Sequence, residues 1–155
     1  MQILVDADAC PRQCLVILEQ LTAQHGIELV TVASFRHELR RPGHITVDDG
    51  PDAVDWAVVS RTAAGDLVVT QDMGLAAVVL AKGAQVLDTK GWFYSRSAAD
   101  MMLEERAIKA RHRRAGGRSK GPAARRTSDD ERFRKSVLMW IQGFQPSVDA
   151  GLEDL

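Results

Sequence analysis

The chain is 155 residues long, 45% hydrophobic and 26% charged, with a formal net charge of −1, which suits one domain with a real core. No apolar run reaches the roughly 20 residues of a membrane helix, and a strand-like run starts within two residues of Met1 with no basic leader, so a cytoplasmic protein is expected. The near-neutral total hides a split: residues 1–105 carry 8 basic and 15 acidic side chains, residues 106–155 carry 12 and 6. Such asymmetry suits an acidic centre beside a basic arm that meets a polyanion. Cys10 and Cys14, with no further cysteine, make a poor zinc set, and reduced thiols are expected.

Ile3, Leu4 and Val5 form a short apolar run that predicts a strand buried on both faces. Asp6 and Asp8 follow at once, and Pro11 is placed to open a helix whose stripe of Cys14, Leu15, Leu18 and Leu21 ends at Gly26. Glu28 to Ala33 reads as a second strand, Ser34 to Gly43 as a basic loop, and Ile45 with Val47 as a third strand. Asp48 to Pro51 is turn chemistry, and Asp52 to Ala64 reads as a helix. Leu67 to Thr70 predicts a fourth strand running into Asp72; Leu75 to Lys82 is a short apolar helix, and Val86-Leu87 a fifth strand ending at Asp88. Strands alternating with helices imply a mainly parallel sheet, so the fold class is α/β.

Ser97 and Asp100 suggest another helix start, leading through Met101 to Ile108. From Arg106 to Arg126 there are nine Lys or Arg and no acid, a run read as a mobile basic segment. A last helix is expected from Ser128, with Glu131 completing a capping box, through Phe133, Val137 and Trp140.

In an open parallel sheet, functional groups gather beyond the carboxyl ends of the strands, where the winding reverses. Asp6 and Asp8, Asp72, and Asp88 follow three separate strands, and Asp52 and Asp55 occupy the first turn of the middle helix. Clustered carboxylates repel unless a cation joins them, and oxygen ligands suit Mg²⁺ or Mn²⁺. The chemistry this implies is metal-assisted phosphoester hydrolysis. Each acid also has a plainer use: Asp52 and Asp55 as helix N-terminal charges, Asp72 as a helix cap, Asp48, Asp49 and Asp88 as turn residues. Ser34 and Thr70 lie near strand ends where a hydroxyl can bond a water or a phosphate. His25, His37, His44 and His112 are not spaced as a zinc set. D-A-D-A-C-P has no glycine for a dinucleotide turn. A dehalogenase-type phosphatase shares D-x-D but expects Thr or Val where Cys10 stands, and paired acids where Gln71-Asp72 stand. A receiver domain is a weaker match.

Val5–Pro11, the D-x-x-D of Asp52 and Asp55, Gly65–Asp72 with Leu75-Ala76, Lys82–Ala84, Gly121-Pro122 and the helix around Phe133 together resemble the bacterial YaiI/YqxD family over residues 3–142. That family is similar in fold to PIN-like nucleases. The resemblance implies a five-stranded parallel sheet ordered 3-2-1-4-5, helices on both faces, and an acidic centre binding Mg²⁺ or Mn²⁺. By position, Asp6 matches the first-strand acid, Asp55 the acid of the middle helix and Asp72 the acid after strand four; Asp8 belongs to the narrower family's own motif. Ser34 and Asp88 stand where relatives often have Asn, and Asp88 would add a carboxylate.

The resulting expectation is a cytoplasmic, divalent-metal-dependent nuclease acting on RNA. Asp6, Asp8, Asp55 and Asp72 would be catalytic, with Asp6, Asp55, Asp72 and Asp88 as metal ligands. Ser34, Thr70, Arg113, Arg114 and Lys120 would meet the substrate, since Lys and Arg give sequence-independent phosphate affinity. The alternatives are a nucleic-acid-binding or adaptor protein with a vestigial site, and a small-molecule phosphatase. The chain is expected to divide into a PIN-like α/β domain (1–112), the basic segment (113–127), a helix packing on the same domain (128–144) and a disordered tail (145–155).

Overall fold

The computed structural model describes residues 1–37, 39–48, 50, 52–94 and 124–146. Its elements in chain order are β1 (Gln2–Asp6), α1 (Arg12–His25), β2 (Glu28–Ser34), β3 (His44–Val47), α2 (Ala53–Arg61), β4 (Leu67–Val69), α3 (Met73–Ala81), β5 (Gln85–Leu87), β6 (Phe93–Tyr94) and α4 (Thr127–Ile141). Single 3-10 turns follow β1 (Ala7–Ala9) and β2 (Phe35–His37).

The strands form one sheet ordered β3-β2-β1-β4-β5-β6, parallel except for β6. The first five strands take the expected order. The sixth is an addition: β6 pairs antiparallel with β5, Leu87 opposite Phe93 and Val86 opposite Tyr94. The order reverses between β1 and β4, so the crevice beyond their carboxyl ends is the switch point of the sheet.

Alternation along the strands splits the core into two layers. Ile3, Val5, Leu67, Val69 and Leu87 pack against Ile17, Leu18 and Leu21 of α1 and Phe133, Val137 and Trp140 of α4. Leu4, Val30, Val32, Val68 and Val86 pack against Val58 of α2 and Leu75, Ala76 and Val79 of α3. Each such side chain removed from water contributes about 1.5–3 kcal/mol before entropy is counted. Helix α4, distant in sequence, is therefore as integral to one core layer as α1.

Gly91 makes the docking of α4 possible. Its φ is +92°, and a Cβ there would come within 2.5 Å of the Phe133 backbone nitrogen. Ser136 Oγ donates to the Gly91 carbonyl at 2.6 Å, pinning helix to turn.

Several helix bounds differ from the sequence reading. Helix α2 ends at Arg61 rather than Ala64, because Thr62 turns extended and its hydroxyl donates back to the Val58 carbonyl at 2.7 Å. Helix α3 starts at Met73, with Asp72 as its cap. Helix α4 starts at Thr127, where Asp129 Oδ2 accepts the Arg126 N–H at 2.9 Å; this replaces the expected Ser128–Glu131 box. The helix expected from Ser97 and nearly all of the basic segment, including Arg113, Arg114 and Lys120, lie outside the described residues. The tail beyond Pro146 does so too. Among the described residues, no helix is long and apolar enough to cross a membrane.

Candidate acidic site at the switch point

Asp6 ends β1, where the chain leaves the buried strand for the 3-10 turn. Its neighbour across the switch point is Thr70, 1% exposed, whose hydroxyl donates to Asp6 Oδ2 at 3.1 Å. The same hydroxyl oxygen accepts the Asp72 N–H at 3.0 Å, so Thr70 ties the ends of β1 and β4 together. A threonine used in this way faces inward and orients acids.

Asp72 follows β4 and accepts the Leu75 N–H on Oδ1 at 3.1 Å, capping α3. The cap and the candidate ligand are thus the same residue. Asp55 sits in the first turn of α2, where the helix dipole favours a negative charge. Asp8, in the 3-10 turn, gathers three donors on Oδ1: the Ser34 N–H at 3.0 Å, the Ser34 hydroxyl at 3.3 Å and His37 Nδ1 at 3.0 Å.

Asp6 feels the charges of the other three. Burial, followed by the charges of Asp55, Asp8 and Asp72, pushes the Asp6 carboxyl up from 3.8 to about 6, against the lowering effect of the Thr70 hydroxyl. A carboxylate in that state gains by meeting a cation.

The remaining expected site residues are placed differently. Asp88 Oδ1 accepts the N–H groups of Lys90 and Trp92, each at 2.9 Å, and so shapes the turn into β6. Burial raises its pKa despite those bonds, and its charge bears on Tyr94 and Cys14. Ser34 is 6% exposed and spends both its hydroxyl and its N–H on Asp8. Asp52 precedes α2 with φ +61°, and its side chain makes no cap bond. Asp66, from the G-D-L-V-V-T-Q-D stretch, works at the opposite end of the sheet, accepting from Gln2 N–H, Gln2 Nε2 and the Ala63 N–H. Cys10 packs against the α1–α4 core layer; Cys14 is buried with its Sγ 3.1 Å from Arg125 Nη2.

Among the described residues, no three His, Cys, Asp or Glu side chains are gathered as a ready-made metal cage. The donor set is nonetheless all oxygen and net negative. Mg²⁺ commonly takes only one or two carboxylates, completing its shell with water and substrate phosphate. Asp6, with Asp55 and Asp72 nearby, fits that sparse kind of site.

Sequence reading passed over Trp56, one residue after Asp55. Its indole is 71% exposed and lines a groove of about 210 Å³ with Asp52, Asp55, Val59, Gly74, Leu75 and Val78. A larger cleft, about 530 Å³, lies away from these acids, between the end of α1 and the Arg40–Gly43 turn.

Comparison with known proteins agrees with the resemblance in the sequence. The family model described as "Uncharacterized BCR, YaiI/YqxD family" matches residues 4–143. A UPF0178 protein of Heliobacterium modesticaldum is 42% identical over 133 residues, covering 86% of this chain and 91% of that one. Another, of Ruminiclostridium cellulolyticum, is 42% identical, covering 92% and 93%. A third, of Exiguobacterium sibiricum, is 41% identical, covering 88% and 93%. No solved structure matches the chain significantly. The chain belongs to the YaiI/YqxD family.

Proposed function

We propose that this protein is a cytoplasmic, divalent-metal-dependent nuclease that hydrolyses RNA phosphodiesters at the switch point. The observation that carries the reading is Asp6: a strand-end carboxylate held by Thr70 at 3.1 Å and raised to about 6 by burial and the charges of Asp55, Asp8 and Asp72. Carboxylates arranged to repel are useful where a cation joins them.

Asp6, Asp55 and Asp72 would hold Mg²⁺ or Mn²⁺, with Asp8 beside them. The ion, when bound, supplies Lewis acidity, a nucleophilic water and charge neutralisation on the phosphate. The chain's own residues do the positioning. Thr70 fixes the Asp6 carboxylate and the Asp72 backbone through one hydroxyl. The α3 cap sets the direction of the Asp72 side chain. Asp8 fixes the end of β2 through Ser34 and brings His37 to the rim of the site. Arg113, Arg114 and Lys120 would supply sequence-independent phosphate affinity. Asp88, occupied by its turn, is the weaker ligand candidate of the set.

The test is hydrolysis of labelled single-stranded RNA with Mn²⁺ or Mg²⁺, compared with chelator and with Asp6→Asn. Cleavage that needs the metal and Asp6 supports the proposal; cleavage that survives both treatments sinks it. Salt-dependent RNA binding without hydrolysis would identify an adaptor. Turnover of phosphate monoesters but not RNA would identify a phosphatase. Calorimetric titration with Mn²⁺ separates these cases earliest, since a nuclease of this kind must bind the ion.

A further inference from the structure

Trp56 is exposed where large aromatic side chains are costly to leave in water. Among the described residues, the exposed large hydrophobics are Met1, Phe35, Trp56 and Val78, and the last two line the same groove between α2 and α3. Burial elsewhere in the chain shows that this is a local choice: Trp140 is 3% exposed, and Trp92 lies half-buried under the Arg132 guanidinium at 4.3 Å.

The groove joins the acidic site directly. Asp55 both lines it and contributes to the charge that raises Asp6, and Leu75, in its wall, is the residue whose N–H Asp72 caps. At its rim Asp52 holds φ +61°, the one non-glycine residue with positive φ among those described. Such conformations are uncommon outside Gly, though Asp tolerates them better than most. The exposed Asp52 side chain lines the groove and makes no cap bond to α2.

We propose that Trp56 and this groove form a subsite for one unpaired nucleobase, stacked on the indole, next to the carboxylates that would act on its phosphate. The subsite rests on the nucleic-acid reading above and deepens it. Several observations select this occupant. An indole face with a small apolar wall suits a planar ring, and base–aromatic stacking is the usual grip on single strands. The exposed Asp52 carboxylate at the rim is an acceptor for the exocyclic amine of a base, while it repels phosphate. A protein partner is a poor fit, because a stable interface needs roughly 800 Å² per side and, among the described residues, only Trp56 and Val78 offer exposed large apolar surface here. A second copy docked symmetrically on the same groove would bring two acidic rims, each with Asp52 and Asp55, together. The basic stretch from Arg106 to Arg126 contains no aromatic residue, so the subsite supplies a contact that stretch lacks.

The test uses the full-length protein and a phosphorothioate-linked single-stranded RNA octamer, alongside an abasic oligomer with the same backbone. Binding is read by fluorescence anisotropy and by quenching of tryptophan emission. The octamer should quench the wild-type emission, and Trp56→Ala should bind it about 5- to 150-fold more weakly, the range expected for losing one stacked base. Trp56→Phe should recover most of the affinity, and the abasic oligomer should bind wild type and Trp56→Ala alike. Equal octamer affinity in wild type and Trp56→Ala, or no octamer binding at all, overturns the subsite. A change of oligomeric state in Trp56→Ala by sedimentation also overturns it and assigns the groove to a second copy. Hydrolysis is scored separately on the same octamer with unmodified phosphodiester linkages and Mn²⁺. Its absence in wild type would sink the nuclease reading while Trp56-dependent quenching left the subsite standing.

Discussion

Replacing Asp6 with Asn should make the metal-free protein more stable, and the size of the gain follows from the acidic cluster. Burial and the charges of Asp55, Asp8 and Asp72 raise the carboxyl from 3.8 to about 6 in the folded chain. Each pH unit of that difference is worth about 1.4 kcal/mol, so the ionised carboxylate costs the fold about 3 kcal/mol at pH 8. The sign follows from proton counting. Between 3.8 and about 6 the folded state holds more protons on Asp6 than the unfolded state does, so stability falls as pH rises through that window. Asn has no charge to lose and keeps an oxygen for the Thr70 hydroxyl. Asp6→Asn should therefore gain about 3 kcal/mol over wild type above pH 6, less between pH 6 and 4, and nothing below. For a domain of this size the gain at pH 8 is a rise of roughly 6–12 °C in melting temperature. Urea unfolding at several pH values with chelator present measures it directly. An Asp6→Asn variant that is neutral or destabilised at pH 8, or whose gain does not change with pH, would refute the electrostatic account. Repeating the series with saturating Mn²⁺ should stabilise wild type and leave Asp6→Asn nearly unmoved, because binding to the folded state alone adds stability by mass action.

The other predictions concern the groups that hold the cluster in place. Thr70→Val removes the hydroxyl that lowers the Asp6 pKa and bonds the Asp72 N–H, so the acid limb of any pH–rate profile should move to higher pH. Its stability should fall by about 1–3 kcal/mol in denaturant titration, the cost of a buried donor left unpaired. Asp72→Ala removes the α3 cap and should cost about 0.5–2 kcal/mol in the metal-free protein, while also lowering the Asp6 pKa by removing a like charge; NMR titration of Asp6 would read the second effect. Gly91→Ala forces a Cβ to within 2.5 Å of the Phe133 backbone at a positive φ. It should cost about 2–5 kcal/mol and release α4 first, seen as faster amide exchange in that helix.

Much of the fold was legible because the relevant signals are local. Ile3-Leu4-Val5 and Leu67-Val68-Val69 are apolar on both faces, and both turn out to be central strands walled by helices. Gly26 marked the end of α1 and holds φ +65° there. The family motifs carried the strand order and pointed to Asp6, Asp55 and Asp72, whose charges do converge on one strand end. Strand β6 left no such trace: two residues, Phe93 and Tyr94, are too few to show a period, and only pairing with β5 makes them a strand.

What tertiary structure decided is the use to which each polar group is put. A sequence lists acids near strand ends without saying which N–H groups will reach them. Asp88, like Asp72, follows a strand and reads as either ligand or loop residue; in the fold the Lys90 and Trp92 amides close on its Oδ1 and tie it into the turn before β6. Ser34 reads from sequence as a hydroxyl that could meet a phosphate; the fold places it beside Asp8, which takes both its donors. Thr70 emerged as the opposite case, a single hydroxyl shared by two candidate acids because β1 and β4 are neighbours. Trp56 carries no signal in the sequence; packing buries Val58 and leaves the indole outside, since the helix can turn only one stripe toward the sheet. Hydrophobic periodicity records which faces are buried; which polar atoms meet, and which aromatic ring stays in water, depends on distances between elements far apart in the chain.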